Sequence, residues 1–436
     1  MTLPRLLRLR RFGNVEVATA VLAADPDLAA RDVGELQAAL DRAHGPFSSP
    51  LVAELASHGW EASDLILGVP AIRHAWERQH GPVPPHPGID DPDVLLALAE
   101  ARRIRPDIVL DSNLNVLDRR GREVMRAVAP SIRVLAAYMG TEKRFHRAIP
   151  LDLILVPCRS MADAVTPLAR GRVAVLPHSF DPQVVAELPE RQVMHPLVFA
   201  GALGPRYTER HEVLMALLAQ TDLEAWIGLR KGVVRTADGW LVTAVSEAAD
   251  APRSLQGRLI DLVPTRPLAR LAVRSERLGE VLNARLARRT GGLLAPERPM
   301  RDPAAVHPER CHAPVAGTDY LHLLRRSGTV VHRGIDALGA CGGALRLFEV
   351  TGVGAALLVE DSPTVRELFV PGEEVVTYRD ADEAVAKARW LADHPEERER
   401  IAYAGQQRTL RDHTAAARAR QLDPILREAL TVAARR

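Results

Sequence analysis

Short apolar runs alternate with amphipathic stretches through the first half of the chain. The runs that predict buried strands lie at 64–69, 107–110, 132–137, 153–156 and 173–176. Between them, apolar residues recur with helical spacing, as at 93–103. A continuous apolar run is typical of a strand that is buried on both faces, and strands that alternate with helices form parallel βαβ units. The pattern therefore predicts an α/β protein.

The same alternation begins again in the second half, after a proline-punctuated connection at 176–196. The elements predicted there are a strand at 197–200, a helix at 209–219 and a strand at 224–228. A strand at 329–331 follows after a long segment that does not show the alternation. A chain of 436 residues also exceeds what one core normally serves. We therefore predict two domains that divide at 189/190.

The long segment between the predicted strands at 224–228 and 329–331 is rich in arginine. Between residues 253 and 310 there are 12 arginines against six acidic residues, and the middle of the segment has helical periodicity. We predict a helical insertion at about 232–312. It could dock an acidic or lipid-linked acceptor or touch a membrane surface. A pair of solvated helices fits the same pattern.

Composition excludes several classes of function. The 57 basic and 55 acidic residues nearly cancel, so charge gives no reason to expect nucleic acid as a partner. Three widely spaced cysteines favour a reducing compartment, and no apolar run is long enough to cross a membrane. The N-terminal stretch 1–13 is basic without the apolar core of a signal peptide. It could touch an anionic membrane surface, but we predict a disordered cationic tail. These features favour a cytoplasmic protein.

A glycine pair before a short helix predicts an anion site. Gly342 and Gly343 leave backbone N–H groups bare at the helix start, where the helix dipole favours negative charge. Three residues apart on that helix, Arg346 offers a cation to a diphosphate and Glu349 an acceptor to sugar hydroxyls. The apolar run 355–359 predicts a buried strand, and ligands of open sheets bind at carboxyl ends. A surface ion pair before a core strand fits equally well.

Two adjoining motifs resemble a known family. RLFEVTGVGAALLVED at 346–361 and LFVPGEEVVTYRDADE at 368–383 are similar to the signature of group 1 glycosyltransferases, in the branch related to the spore-maturation protein CgeB. Further collinear similarity lies at 50–81, 105–115, 176–182, 198–218 and 320–336. The resemblance implies a GT-B architecture, with two Rossmann-like domains facing across a cleft. The C-terminal domain, 190–412, would hold a nucleotide-sugar donor, and the last helix, 413–436, would return to the first domain, 1–189.

The resemblance also implies an activity. It is the transfer of a sugar from a nucleotide-sugar to an unidentified acceptor, without a metal and without a cofactor beyond the donor itself. Basic side chains and a helix N-terminus would stabilise the departing diphosphate. The donor-binding residues expected on this basis are Gly201, Arg206, Lys231, Gly342, Gly343, Arg346, Glu349 and Thr351.

One position departs from the family pattern. Glu349 matches the second glutamate of the Glu-x7-Glu motif, which accepts hydrogen bonds from the nucleotide ribose, but Cys341 occupies the place of the first. The matched glutamate favours a retaining mechanism, and Cys341 weakens that inference. A non-catalytic nucleotide- or carbohydrate-binding descendant of the fold therefore stays open, as does, more weakly, a nucleotide-sugar epimerase.

The catalytic base is expected in the first domain. The loop at 137–146 follows a predicted strand and contains Glu142 and His146, either of which can take a proton from an acceptor hydroxyl. Two other patterns are not interpreted as metal-binding sites. Asp91 and Asp380 begin aspartate pairs beside predicted helix starts, where aspartates cap free N–H groups, and the cluster at 307–312 lacks zinc spacing. We predict no metal site.

Overall fold

The computed structural model describes most of the chain outside the arginine-rich segment. The described residues are 3–13, 15–43, 50–112, 114, 116–140, 148, 150–204, 207–230, 233–243, 300–334 and 344–435. Within them, no helix is both long and apolar enough to span a membrane.

The described elements alternate between strands and helices. The strands are β1 (Arg5–Arg11), β2 (Glu61–Leu67), β3 (Ile108–Asp111), β4 (Val134–Tyr138), β5 (Leu153–Val156), β6 (Arg172–Val175), β7 (His195–Leu203), β8 (Glu224–Leu229), β9 (Val233–Arg235), β10 (Trp240–Thr243), β11 (Met300–Arg301), β12 (Cys311–His312), β13 (Ser327–His332), β14 (Ala356–Glu360) and β15 (Val376–Tyr378). The α-helices are α1 (Val15–Ala24), α2 (Val33–Arg42), α3 (Leu51–Ala56), α4 (Pro70–His80), α5 (Pro92–Ile104), α6 (Arg119–Val128), α7 (Arg159–Val165), α8 (Gln183–Glu187), α9 (Thr208–Gln220), α10 (Pro303–Val306), α11 (Gly317–Arg325), α12 (Ala344–Gly352), α13 (Pro363–Leu368), α14 (Ala381–Asp393), α15 (Pro395–Asp412) and α16 (Ala415–Ala433).

The chain divides into two compact units. The first contains the described residues up to Pro177 and the C-terminal helix α16, and the second contains the described residues from His178 to Thr414. Phe180, Val184 and Leu188 pack in the core of the second unit. The division therefore lies earlier in the chain than the predicted 189/190.

The first unit is built on a six-stranded parallel sheet in the order β2-β1-β3-β4-β5-β6. Its core joins apolar residues of the sheet, of α3 and of α16. The N-terminus of helix α5 is capped as the sequence predicts. The side chain of Asp91 accepts a hydrogen bond from the backbone N–H of Asp93. This aspartate pair is therefore a helix cap.

The predicted disordered tail is wrong, because the N-terminal residues form the strand β1 inside this sheet. Its apolar residues Leu6, Leu7 and Leu9 are fully buried. Arg8 and Arg10, which gave the stretch its basic character, are also buried and form ion pairs with aspartates from other elements. A charged strand can be central when each charge finds a partner there.

The second unit contains a second six-stranded parallel sheet, in the order β12-β8-β7-β13-β14-β15. The helix α12 follows β13 and leads into β14 through a tight turn. Gly352 ends this helix where a Cβ atom would lie 2.7 Å from the ring of Phe180, and Gly354 has φ +83. Both glycines of the TGVG motif are therefore required by local geometry.

The ends of the predicted helical insertion are strands. β9, β10 and β11 form an antiparallel three-stranded sheet, and β12 pairs with β8. The prediction of a helical segment across the whole of 232–312 is thus wrong at its ends. The arginine-rich middle, 244–299, lies outside the described residues.

Candidate functional site

The order of the strands in the second sheet reverses between β7 and β13. From β7 the chain passes to β8 on one side, whereas β13, β14 and β15 lie on the other. Pairing between β7 and β13 ends at Phe199 and Val331, but β7 continues beside β8 as far as Leu203. The last residues of β7 therefore extend past the end of their pairing with β13. Open α/β sheets bind ligands at the carboxyl ends of strands beside such a reversal.

Arg346 reaches this edge from α12. Its Nη1 donates a hydrogen bond to the carbonyl of Ala200, in the part of β7 beyond its pairing with β13. Its Nε lies 3.3 Å from Oε2 of Glu349, and its guanidinium carbon lies 4.7 Å from the ring centroid of Tyr320. The spacing of three residues on one helical face brings the cation and the carboxylate together.

Glu349 has a second partner in Tyr320, whose hydroxyl donates to its Oε2 at 3.2 Å. The side chain of Glu349 is about one-fifth exposed, at 22%. Burial raises the pKa of Glu349 above its ordinary value, and the guanidinium of Arg346 and the hydroxyl of Tyr320 offset only part of that rise. The result is a half-buried acceptor held in a fixed position at the strand edge.

Two further arginines hold the strand ends. Arg210, near the start of α9, donates to the carbonyl of Ala202 at 2.9 Å and to that of Arg333 at 2.6 Å. Arg333 itself is buried and pairs with Glu209 and, at 3.3 Å, with Glu360. These contacts join the carboxyl ends of β7, β13 and β14 through side chains where the backbone ladder has stopped.

The sequence reasoning missed these residues, although signals for some of them were present. Arg210 is a cation in the first turn of a helix, where the helix dipole disfavours positive charge. His332 and Arg333 directly follow an apolar run, at the position where a parallel strand meets its ligand edge. Tyr320 had no local signal, because its partner Glu349 lies 29 residues away.

Two other predicted donor residues, Gly201 and Thr351, lie within regular elements of the second unit. Gly201 lies within β7, paired with Ile227, because the strand continues beside β8. Thr351 is fully buried, and its hydroxyl is bonded to the carbonyl of Leu347 and to Thr409, both at 2.6 Å. Its contacts join α12 to α15 and favour a packing role.

Several predicted site residues lie outside the described part of the chain. They are the donor-binding candidates Arg206, Lys231, Gly342 and Gly343, and both candidate bases, Glu142 and His146. Their assignments stay predictions. Asp380 is described, and its side chain caps α14 by accepting from the backbone N–H of Glu383, as predicted.

One family model matches part of the sequence. Residues 277–423, which are less than half of the chain, match a family described as glycosyl transferase-like. The matched segment includes α12 and both partners of the Arg346 and Glu349 ion pair. A search of curated proteins by sequence finds no match.

Solved structures resemble the whole chain in fold. HepE of Anabaena, in complex with UDP and glucose, aligns with a TM-score of 0.54 at 12% identity, covering 98% of this chain and 100% of that one. Sucrose-phosphate synthase of Thermosynechococcus elongatus aligns with a TM-score of 0.50 at 10% identity, covering 98% and 100%. A glycosyltransferase involved in avilamycin A biosynthesis aligns with a TM-score of 0.50 at 13% identity, covering 98% of both chains. The predicted fold is therefore confirmed, and the chain has the GT-B fold.

Proposed function

We propose that this chain is a glycosyltransferase that moves a sugar from a nucleotide-sugar donor to an acceptor hydroxyl. The observation that supports this best is the Arg346 and Glu349 pair beside the reversal of strand order, within the segment that matches the glycosyl transferase-like family. Open α/β sheets bind ligands at such a position. Within this class, the motifs at 346–361 and 368–383 lead us to propose the branch related to CgeB.

In the proposed donor complex, Glu349 accepts hydrogen bonds from the ribose hydroxyls. Arg346 adds positive charge beside the diphosphate. The remaining donor contacts come from the strand end and nearby loops, at Gly201, Arg206, Lys231, Gly342 and Gly343. Because HepE is a structural relative that binds UDP, we propose a UDP-sugar as the donor.

The proposed reaction breaks the bond between the anomeric carbon and the diphosphate oxygen, and the electron pair leaves with the diphosphate. The acceptor oxygen forms the new bond to that carbon, and its proton passes to Glu142 or His146. Positive side chains stabilise the leaving group in place of a metal. The match of Glu349 to the family glutamate leads us to propose retention of configuration.

The setting of the reaction is proposed on the composition of the chain. The few cysteines and the lack of a long apolar run favour the cytoplasm. The arginine-rich segment between 253 and 310 is the part that we propose meets an acidic or lipid-linked acceptor.

A second candidate function is nucleotide or carbohydrate binding without catalysis. It is favoured by Cys341, which replaces the first glutamate of the family motif. A binding protein of this kind would retain the interactions of Glu349 with the nucleotide and release no free UDP.

A thermal-shift screen followed by a turnover assay tests the proposal. A ligand that binds only the folded protein raises its apparent stability. We expect UDP and a UDP-sugar to raise the melting temperature, with GDP, dTDP and CMP as controls. Release of UDP in the presence of candidate acceptors, unchanged by a chelator, would support metal-independent transfer. A thermal shift without release of UDP would favour the binding protein. No shift with any nucleotide, in a sample shown to be folded, would contradict the glycosyltransferase and leave only carbohydrate binding without catalysis.

A further inference from the structure

His332 is a buried polar residue at the ligand edge of the second sheet. It is the last residue of β13, next to the reversal of strand order, and only 7% of its surface is exposed. Its Nε2 has no hydrogen-bond partner among the described residues. Native proteins pair the great majority of their buried polar atoms, so an exception at this position requires a physical explanation.

The surroundings of His332 keep its imidazole neutral. Burial lowers the pKa of His332 well below its usual value, and the nearby charges of Arg346 and Arg210 lower it further. A neutral imidazole still offers one N–H donor and one acceptor nitrogen. The main chain at this residue is fixed, because the hydroxyl of Tyr378 donates to the carbonyl of His332 at 3.0 Å.

The two guanidinium groups indicate which ligand would complete this site. Both direct hydrogen bonds to backbone carbonyls, to Ala200 for Arg346 and to Ala202 and Arg333 for Arg210. A carbonyl carries no formal negative charge, although Arg346 also pairs with Glu349 at 3.3 Å, and both guanidinium groups still lower the pKa of His332 through their charge. An anionic oxygen at the strand edge would therefore be attracted by both arginines and could accept a hydrogen bond from the imidazole.

We propose that His332 binds the diphosphate of the donor by donating a hydrogen bond from Nε2 to a phosphate oxygen. The inference rests on the proposed function and adds to it a residue for which the family resemblance gave no role. An unsatisfied buried nitrogen destabilises the free protein. Residues that lower stability in this way are typical of ligand sites, because the bound ligand supplies the missing partner.

Two polar variants test the role of Nε2 without creating an apolar surface. His332→Gln places an amide nitrogen near the position of Nε2, whereas the shorter His332→Asn reaches only the position of Nδ1. We expect His332→Gln to bind UDP within about threefold of the wild type. We expect His332→Asn to bind UDP about tenfold or more weakly, which is the usual size of a lost hydrogen bond to a charged group.

An apolar variant gives a second, independent readout. His332→Leu removes the unsatisfied nitrogen, so the free protein should melt at the same or a higher temperature while its affinity for UDP falls at least about tenfold. His413→Leu is the matched control, because that buried histidine already has a partner, the carbonyl of Leu368 at 3.0 Å. It should melt at a lower temperature.

Calorimetric titration with UDP and with uridine decides between the outcomes. Loss of affinity for UDP but not for uridine assigns the contact to the diphosphate. Equal UDP affinity in the wild type, His332→Asn and His332→Leu would overturn the inference and leave a buried nitrogen that the fold tolerates. A wild type that fails to bind UDP would overturn the proposed UDP-sugar donor and the inference together, and this result is visible before any variant is measured.

Discussion

Burial and pairing act in opposite directions on the pKa of Glu349. Its raised pKa means that the folded protein favours the neutral acid more than the unfolded chain does. The titration of Glu349 therefore increases the free energy of unfolding as the pH falls from above the raised pKa towards the ordinary value of 4.5. Only the ionised form accepts two ribose hydrogen bonds without donating one.

This leads to a prediction about nucleotide affinity. The affinity of the wild type for uridine should decline as the pH falls through the raised pKa of Glu349, above the range in which an ordinary glutamate titrates. Glu349→Gln should bind about tenfold more weakly at neutral pH and show a flat profile. Titration calorimetry with uridine avoids the protonation of phosphate. A wild-type profile as flat as that of the variant would contradict the proposed contact with ribose.

The sequence could predict the Arg346 and Glu349 pair because it is local. Three residues of helix set the distance between them, whatever the rest of the chain does. Arg210 and Arg333 could not be predicted in the same way, since 123 residues separate them and only the pairing of β7 with β13 brings them together. His332 gave no sign of its unpaired nitrogen, because the burial of a strand end depends on the elements that pack against it in the folded chain.

At the scale of elements, β1 shows how a charged pattern can be misread. Its arginines are interspersed with leucines, and a basic stretch at a chain terminus is usually solvated. Arg8 donates to both oxygens of Asp64 at 2.5 and 2.6 Å, and Arg10 donates to both oxygens of Asp41 at 2.8 Å. The carboxylates come from β2 and α2, so the compensation is visible only once the sheet is assembled.

Asp64→Asn should test this network. Burial alone would raise the pKa of Asp64, but the charges of Arg8 and Arg10 outweigh it and lower the pKa below 3.8. The contribution of Asp64 to stability is therefore complete above 3.8 and is lost as the pH falls through the lower folded value. At neutral pH, the substitution should reduce the free energy of unfolding by about 3–5 kcal/mol, because it leaves buried guanidinium charge uncompensated.

A control on the same strand pair separates burial from charge. Glu61→Gln removes the partner of Arg5, in an ion pair whose side chains are 45% and 50% exposed. Exposed pairs of this kind contribute about 0–1 kcal/mol. Urea denaturation of the two variants should therefore differ clearly, and similar losses would mean that β1 does not depend on its buried ion pairs.

At the scale of the whole molecule, the C-terminal helix α16 completes the hydrophobic core of the first unit. The helix α16 contributes Leu422, Leu426 and Leu430 to a core that also contains Leu6 of β1 and Trp60. The indole N–H of Trp60 donates to Asp423 of the same helix at 2.7 Å. The family resemblance predicted that the last helix returns to the first domain, but it did not identify these contacts.

The last prediction concerns the packing of this helix. Leu426→Ala removes a fully buried side chain and should reduce the free energy of unfolding of the first unit by about 2–5 kcal/mol. Val432→Ala, on an exposed position of the same helix, should change it by less than about 0.5 kcal/mol.

Hydrogen exchange measured by mass spectrometry locates the effect. In Leu426→Ala, amide exchange should accelerate in α16, β1 and β3, because local stability follows buried apolar contacts. Peptides from α12 and β14, whose core lies in the second unit, should exchange as in the wild type. Acceleration of equal size in both units would show that they unfold as one cooperative body, and the C-terminal helix would then stabilise the donor site as well as the sheet on which it packs.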